Sequence, residues 1–135
     1  MIDALQRIAV PHLRSKGFRG TFPHFRRTAG NDLHLLTFQF DRHGGGFVVE
    51  LGRAMASGYT TTWGKNIAPE ELTAWDLKPT ERSRLSPDVF HTQDYWFRYD
   101  QLTLLPFTKR YDKVAAHLVS LYGQAELWWA DKANP

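Results

Sequence analysis

Side chains that could perform catalysis are scattered along this sequence and form no known motif. The chain has no cysteine, so a thiolate can serve neither as nucleophile nor as metal ligand. Its six histidines include no pair with the three- or four-residue spacing of a helical zinc motif; they are His12, His24, His34, His43, His91 and His117. No serine occupies a nucleophile elbow. The sequence therefore predicts no catalytic residue, no metal site and no cofactor, and it favours a protein that is not an enzyme.

Asp41 and His43 come closest to a ligand pair, because residues two apart on a strand share a face. Both border a predicted hairpin, where polar residues are expected, so a structural role is favoured over a metal site. An enzyme remains the first alternative. Its active site would be assembled from Gln39, Asp41, His43 and Arg84, since catalytic groups need only meet in space.

Arginine and aromatic side chains are better suited to binding a partner. Arg26, Arg27, Arg82 and Arg84 could line one side of a sheet and hold an acidic partner through forked hydrogen bonds, although surface charge is the simpler explanation. Gln39 lies mid-strand between two phenylalanines, which predicts a buried, hydrogen-bonded amide with a structural role.

Tryptophan and tyrosine are typical anchors of interfaces, although most of those in this chain are expected in the core. Trp128 and Trp129 lie near the polar end of the chain, so we expect at least one to be exposed, or the pair to fold back on the sheet. Seven residues are selected as candidates for binding: Arg26, Arg27, Gln39, His43, Arg84, Trp96 and Trp128.

Charge is unevenly distributed. Residues 1–27 hold six basic side chains against one carboxylate, a net charge of +5, which leaves −2 of the overall +3 for the remainder. A solvated face is the simplest interpretation. Binding of nucleic acid through this segment is the second alternative, and we regard it as unlikely because lysine is scarce and no known binding motif is present.

Two helices and a hairpin are the clearest elements that could position these residues. The apolar spacing from Ile2 to Leu13 predicts a helix over 2–16 with a kink near Val10, because Pro11 lacks an N–H group. Alternating apolar residues predict a hairpin over 33–52, turning at three consecutive glycines. A second helical stripe predicts a helix over 107–122 that ends at Gly123.

The other segments are less regular. An irregular or edge strand is expected over 18–27, a β-prone stretch over 59–63, a short helix over 69–76, and two further strands over 81–85 and 94–99. Together the elements predict one α+β domain spanning 1–135. It would be a two-layer sandwich in which two helices cover an antiparallel sheet of about four to six strands within 18–99.

The length of 135 residues and a hydrophobic content of 42% fit one folded domain. The first thirteen residues lack the pattern of a secretory signal, and no apolar run is long enough to span a membrane. The absence of cysteine fits a reducing compartment. We therefore expect a soluble, cytoplasmic protein.

Six short stretches, in order along residues 5–100, carry a family resemblance: LRSKGF (13–18), FRR (25–27), FQ (38–39), GFVVELG (46–52), ERSRL (81–85) and DYWF (94–97). They resemble the uncharacterised bacterial family catalogued as domain of unknown function 4304. The sequence departs from that family at Asp41, where a small hydroxyl residue is expected, and at Phe97, where a second tryptophan is usual. No ligand role is carried over to these two positions.

The resemblance implies mainly a fold, because the family has no established activity. Proteins of this type are sometimes immunity partners of bacterial toxins. We therefore expect a small protein-binding module, with an immunity protein that neutralises a cognate toxin as its most concrete form.

Overall fold

The computed structural model describes residues 1–92, 94–100 and 107–133. Helix α1 has three consecutive segments: an α-helical turn at Ile2–Ala4, a π-helical segment at Leu5–Ala9 and an α-helix at Val10–Ser15. The wider π-helical turn, in which Val10 N–H bonds Leu5 O, lies immediately before Pro11, whose ring would crowd the preceding turn of a regular helix. The predicted helix with an irregularity near Val10 is therefore confirmed.

Helix α1 ends in a Schellman motif. Phe18 N–H bonds Leu13 O at 3.1 Å and Gly17 N–H bonds Arg14 O at 3.1 Å. Phe18 and Leu13 are both buried, so this turn directs the chain from the helix into the sheet.

Eight strands follow: β1 Arg19–Thr21, β2 His24–Ala29, β3 Asp32–Phe40, β4 Gly46–Met55, β5 Tyr59–Thr60, β6 Asn66–Ile67, β7 Arg82–Arg84 and β8 Phe97–Arg98. Six of them form one antiparallel sheet in the order β1-β2-β3-β4-β7, with β8 on the same edge of β4 as β7. Strands β5 and β6 pair separately. The irregular strand expected over 18–27 is two strands, β1 and β2, and the turn between them contains the cis peptide Phe22–Pro23.

The main core lies between one face of this sheet and the two helices. Strands β3 and β4 pair with Leu36 opposite Leu51 and Phe38 opposite Val49, and all four side chains are buried there. Helix α2, Phe107–Ala133, and helix α1 cover that face. The predicted hairpin and the α+β class are both confirmed.

The other sheet face is covered over part of its area. Leu33 and Leu35 of β3 pack beneath the irregular segment 67–77, together with Leu72 and Leu77. The 3₁₀ turn Ala74–Asp76 lies within this segment, and a second 3₁₀ turn, Pro79–Glu81, follows it and leads into β7.

Two sequence predictions of helices need correction. The helix expected over 69–76 is only the 3₁₀ turn Ala74–Asp76, because Thr73 is extended and Leu72 and Leu77 are directed onto the sheet. The helix expected to end at Gly123 continues to Ala133. A glycine inside a helix costs about 1 kcal/mol, and burial of the next two turns offsets it.

The strands β7 and β8 are shorter than the segments 81–85 and 94–99 in which strands were expected. Within the described ranges, no helix combines the length and the apolar character that crossing a bilayer requires.

Candidate functional site

An open cleft of about 680 Å³ lies along strand β7, at one edge of the main sheet. We call it the β7 cleft. The sheet, helix α2 and the connecting loops line it with Gln39, Glu50, Pro79, Thr80, Arg82, Ser83, Arg84, Val89, Phe90, Trp128, Asp131 and Lys132. Three of the seven residues selected from the sequence, Gln39, Arg84 and Trp128, are therefore in one cleft.

Arg84 is held in place by carboxylates. Its Nε donates to Glu50 Oε1 at 3.0 Å, one Nη bonds Asp94, and the guanidinium lies 5.7 Å from the centre of the Trp96 ring. Glu50 is buried, so Arg84 supplies the counter-charge that this carboxylate needs. Arg84 and Trp96, both selected from the sequence, are thus in contact. The charge of Arg84 is already used within the protein, to balance Glu50 and Asp94.

Two other cations of the β7 cleft differ from Arg84 in this respect. Among the described residues, no carboxylate forms an ion pair or hydrogen bond with Arg82 or Lys132. Lys132 Nζ lies 5.7 Å from the ring centre of Trp128, and Asp131 is exposed on the same wall. The cleft therefore presents two positive charges that are free to meet an anionic group.

Another part of the cleft lining is apolar. Val89 and Trp128 are buried beneath it, whereas Phe90 is 46% exposed. The loop that carries Phe90 is fixed to helix α2, since Val89 N–H donates to the side-chain carbonyl of Gln124 at 3.2 Å. Ser86 Oγ accepts the N–H of Asp88 at the start of the same loop. An anchored loop thus presents an exposed aromatic ring beside the two free cations.

Arg26 and Arg27 lie on β2, next to the opposite edge strand β1, beside a groove of about 520 Å³. Arg26 donates to Leu72 O at 3.0 Å and stands directly opposite Arg19 of β1. Arg27 points to the helix side of the sheet, where it bonds Glu126 of α2 at 2.5 and 3.2 Å. The two arginines that are adjacent in sequence therefore lie on opposite faces, and Arg27 is half-buried against helix α2.

Arg27, His34, Tyr122 and Glu126 form a cluster in which burial is the largest single influence on each pKa. Burial, together with the charge of Arg27, lowers the pKa of His34 to about 4. Burial also raises the pKa of Tyr122. Burial alone would raise the pKa of Glu126, but the hydrogen bonds with Arg27 and Tyr122 and the charge of Arg27 together outweigh burial and lower this pKa. The cluster is thus a charged pair beside a neutral histidine.

The structure decides two expectations about exposure, and the one for Gln39 was wrong. Gln39 is exposed, because the segment that covers the second sheet face packs on Leu33 and Leu35 and ends before it. Trp128 and Trp129 are both buried, because helix α2 continues past Gly123 and lays them on the sheet. Of the two arrangements expected for this pair, the one in which it folds back on the sheet is therefore found.

His43 lies in the exposed β3–β4 turn, where its backbone N–H donates to Asp41 Oδ1 at 2.8 Å. Neither residue lines the β7 cleft, so the structure separates them from Arg84. In the described part of the chain, no three histidine or carboxylate side chains are grouped so that they could hold a metal ion.

Sequence reasoning missed Phe90 and Lys132 as residues of the cleft. Phe90 follows a loop signal and has no periodic neighbours, and Lys132 follows the predicted end of the helix. The one available signal was the pair Trp128 and Trp129, whose apolar character extends the helical stripe beyond Gly123.

A comparison with family models matches residues 9–132 to the family described as domain of unknown function (DUF4304). No curated protein and no solved structure gives a significant match. The matched region contains all eight strands and helix α2 except its last residue, Ala133, and it includes every residue of the β7 cleft. The chain therefore belongs to the DUF4304 family.

Proposed function

We propose that this protein is a protein-binding module whose β7 cleft receives an acidic segment of a partner. The observation that carries the proposal is the position of Arg82 and Lys132, which line the cleft beside Phe90 without a carboxylate partner among the described residues. Arginine and aromatic side chains are the usual anchors of protein interfaces. Two cations and an exposed aromatic ring in one cleft suit a chain that carries both carboxylates and apolar groups.

Within this class, we put first an immunity protein that neutralises a bacterial toxin by covering its active site. Carboxylates are frequent acids and bases in hydrolytic enzymes, and the two free cations of the cleft suit such an acidic surface. The test is to co-express the protein with the product of the neighbouring reading frame in its genome. We expect co-purification and protection of growth, both lost in Arg82→Glu. Growth arrest without protection by the wild-type protein would remove this interpretation.

The broader proposal is tested by selecting peptides from a displayed library of random twelve-residue sequences against the full-length protein. We expect the selected peptides to be enriched in aspartate and glutamate. They should bind the double variant Arg82→Glu/Lys132→Glu at least about tenfold more weakly, which corresponds to 1.4 kcal/mol. The control is Arg42→Glu, a charge reversal in the exposed β3–β4 turn away from the cleft.

Equal binding to the wild-type protein and the cleft variant would contradict the proposal, as would selection of peptides with no acidic preference. Circular dichroism and thermal unfolding of each variant show whether the fold is retained. We expect the fold to be retained, because neither Arg82 nor Lys132 forms an ion pair with a carboxylate among the described residues.

The two other functions expected from the sequence have less support. For an enzyme, Asp41 and His43 would have to meet Arg84, yet both lie in a turn outside the cleft. For nucleic acid, two of the six cations in residues 1–27 are already engaged: Arg7 pairs with Asp3 and Asp112, and Arg27 with Glu126. A salt-dependent affinity for DNA or RNA would favour nucleic acid.

A further inference from the structure

Strand β7 is the outer strand of its sheet edge, and its backbone groups can be assigned to two sides. Leu85 N–H donates to Val49 O at 2.9 Å, and the register places Ser83 opposite Leu51. In an antiparallel pair, successive residues direct their N–H and C=O groups alternately toward and away from the partner. Ser83 and Leu85 therefore face β4, whereas Arg82 and Arg84 direct their backbone groups outward.

Among the described residues, only one of these outward backbone groups forms a hydrogen bond. Arg82 N–H donates to Pro79 O in the preceding 3₁₀ turn. The carbonyl of Arg82 and both backbone groups of Arg84 form no hydrogen bond among the described residues. All three residues of β7 line the β7 cleft. An unpaired strand edge of this kind is a template for another extended chain.

We propose that the partner segment binds by strand addition, extending the main sheet as a new strand alongside β7. The inference rests on the proposed function and specifies how that site recognises its partner. The carbonyl of Arg82 would accept a hydrogen bond from the incoming strand. The N–H and C=O of Arg84 would form the reciprocal pair that a β-ladder requires.

The side chains around β7 define the chemistry of that strand. A residue opposite Arg82 would point to the same face as the Arg82 guanidinium, which pairs with no carboxylate among the described residues, so a carboxylate is favoured there. The Arg84 guanidinium on that face already pairs with Glu50 and Asp94. The residue opposite Ser83 would point to the helix side, where the buried Val89 and Trp128 line the cleft and favour an apolar side chain. The cleft therefore fits an extended segment that alternates acidic and apolar residues.

A second copy of this chain is a poor occupant. Pairing two β7 strands would bring guanidinium groups of the two copies side by side on one face, and like charges at directly opposed positions are destabilising. Cationic side chains on an edge strand are a common protection against such self-pairing. A different, acidic chain is accordingly the partner of this edge.

The experiment uses a seven-residue peptide, blocked at both ends, that alternates valine and glutamate. Its affinity for the full-length protein is measured by calorimetry beside two matched peptides. One has the same sequence with N-methylated glutamates, which removes the backbone N–H donors of the glutamates but keeps every side chain. The other replaces glutamate with serine. We expect both changes to weaken binding by at least about tenfold.

Amide exchange of the protein supplies a site-specific readout. Arg84 N–H has no acceptor among the described residues, whereas Leu85 N–H already bonds Val49 O. With the valine–glutamate peptide bound, we expect exchange at Arg84 to slow by at least about tenfold and exchange at Leu85 to change less. The Arg82→Glu variant should weaken binding of the peptide, and Arg42→Glu should not.

The outcomes separate the mode of binding from the function. If the N-methylated peptide binds as tightly as its parent, or Arg84 is not protected, strand addition is wrong while docking of acidic peptides in the cleft still stands. Failure of the valine–glutamate peptide to bind also overturns strand addition, and the library selection then tests the cleft by itself. Dimerisation through β7 in place of peptide binding would overturn the choice of partner.

Discussion

The imidazole ring of His34 lies parallel to the indole of Trp129, with 4.8 Å between the ring centroids and 8° between the planes. Arg27 contacts both: its Nε and one Nη lie 3.2 and 2.8 Å from His34 Nδ1, and its guanidinium lies 5.3 Å from the Trp129 ring. Arginine can only donate hydrogen bonds, so His34 Nδ1 is the acceptor and the ring is neutral. This arrangement makes His34 sensitive to acid.

We expect the protein to lose stability as the pH falls from 6.5 toward 4. The pKa of His34 is lowered from 6.5 to about 4 by burial and by the charge of Arg27. Between these values the unfolded chain binds the proton more tightly, so falling pH favours unfolding. The contribution is about 2–3 kcal/mol between pH 7 and pH 4. Urea denaturation at a series of pH values measures it.

The matched variants separate His34 from other titrating groups. His34→Asn keeps an acceptor but cannot titrate in this range, so its stability should fall less steeply with pH. His91→Asn is the control, because the side chain of His91 is 81% exposed. Identical slopes for His34→Asn and the wild-type protein would show that His34 is not the acid-sensitive group.

The Glu126 carboxylate is expected to stabilise the fold through Arg27. The Arg27 side chain is only 16% exposed and receives its counter-charge from Glu126. Glu126→Gln would leave a largely buried guanidinium without that charge, and we expect a loss of about 1–3 kcal/mol of unfolding free energy at pH 7. The lower part of this range applies if water replaces the carboxylate, since Glu126 is itself partly exposed.

The control for this pair is Asp100→Asn, which removes the charge that Arg98 contacts at the surface. Exposed ion pairs add little to stability. The loss of unfolding free energy, measured by denaturation, should therefore be clearly larger for Glu126→Gln than for Asp100→Asn. Equal losses would show that burial does not strengthen the pair between Arg27 and Glu126.

Trp129→Phe tests the contact that joins helix α2 to the sheet. The indole N–H of Trp129 donates to Gly52 O of β4 at 2.9 Å, and the ring is fully buried. The variant loses this hydrogen bond and leaves unfilled space, so we expect a loss of about 1–3 kcal/mol. Trp63→Phe is the matched control, because Trp63 is 75% exposed. A similar stability of the two variants in urea would contradict this role.

The fold could largely be predicted because its main elements have strong periodicity. Alternation in β3 and β4 specified both the hairpin and the face that packs on the helices, and the three-to-four spacing specified α1 and the first part of α2. The end of α2 was missed because Gly123 is a local stop signal. Tertiary burial of Trp128 and Trp129 overrides it, and no single-sequence pattern measures such burial.

The candidate site was harder to predict than the fold. Arg84, Gln39 and Trp128 were selected for their chemistry, but only the register of β4 with β7 and the full length of α2 bring them together. The same applies to Arg26 and Arg27. The sequence shows two adjacent arginines, whereas the pairing of Arg27 with His34 decides which of them faces helix α2.

Gly20 and Gly30 provide a final prediction, because both have positive φ but differ in their surroundings. Gly30, at φ +62°, lies in a turn with nothing within 4 Å of an added Cβ. Gly20, at φ +120°, would place a Cβ 2.4 Å from the backbone oxygen of His24, which precedes Phe25, the residue paired with Gly20 across the β1–β2 hairpin. A backbone oxygen cannot rotate away as a flexible side chain can.

We therefore expect Gly30→Ala to cost about 1 kcal/mol, the usual penalty for a left-handed residue, and Gly20→Ala to cost about 2 kcal/mol or more. Because the clash is with the strand itself, Gly20→Ala should also open β1 and accelerate amide exchange at Arg26 and His24. Urea denaturation and exchange measurements on the two variants compare these effects. Equal costs would mean that strain in φ alone, and not the close approach of β1 to β2, requires a glycine at position 20.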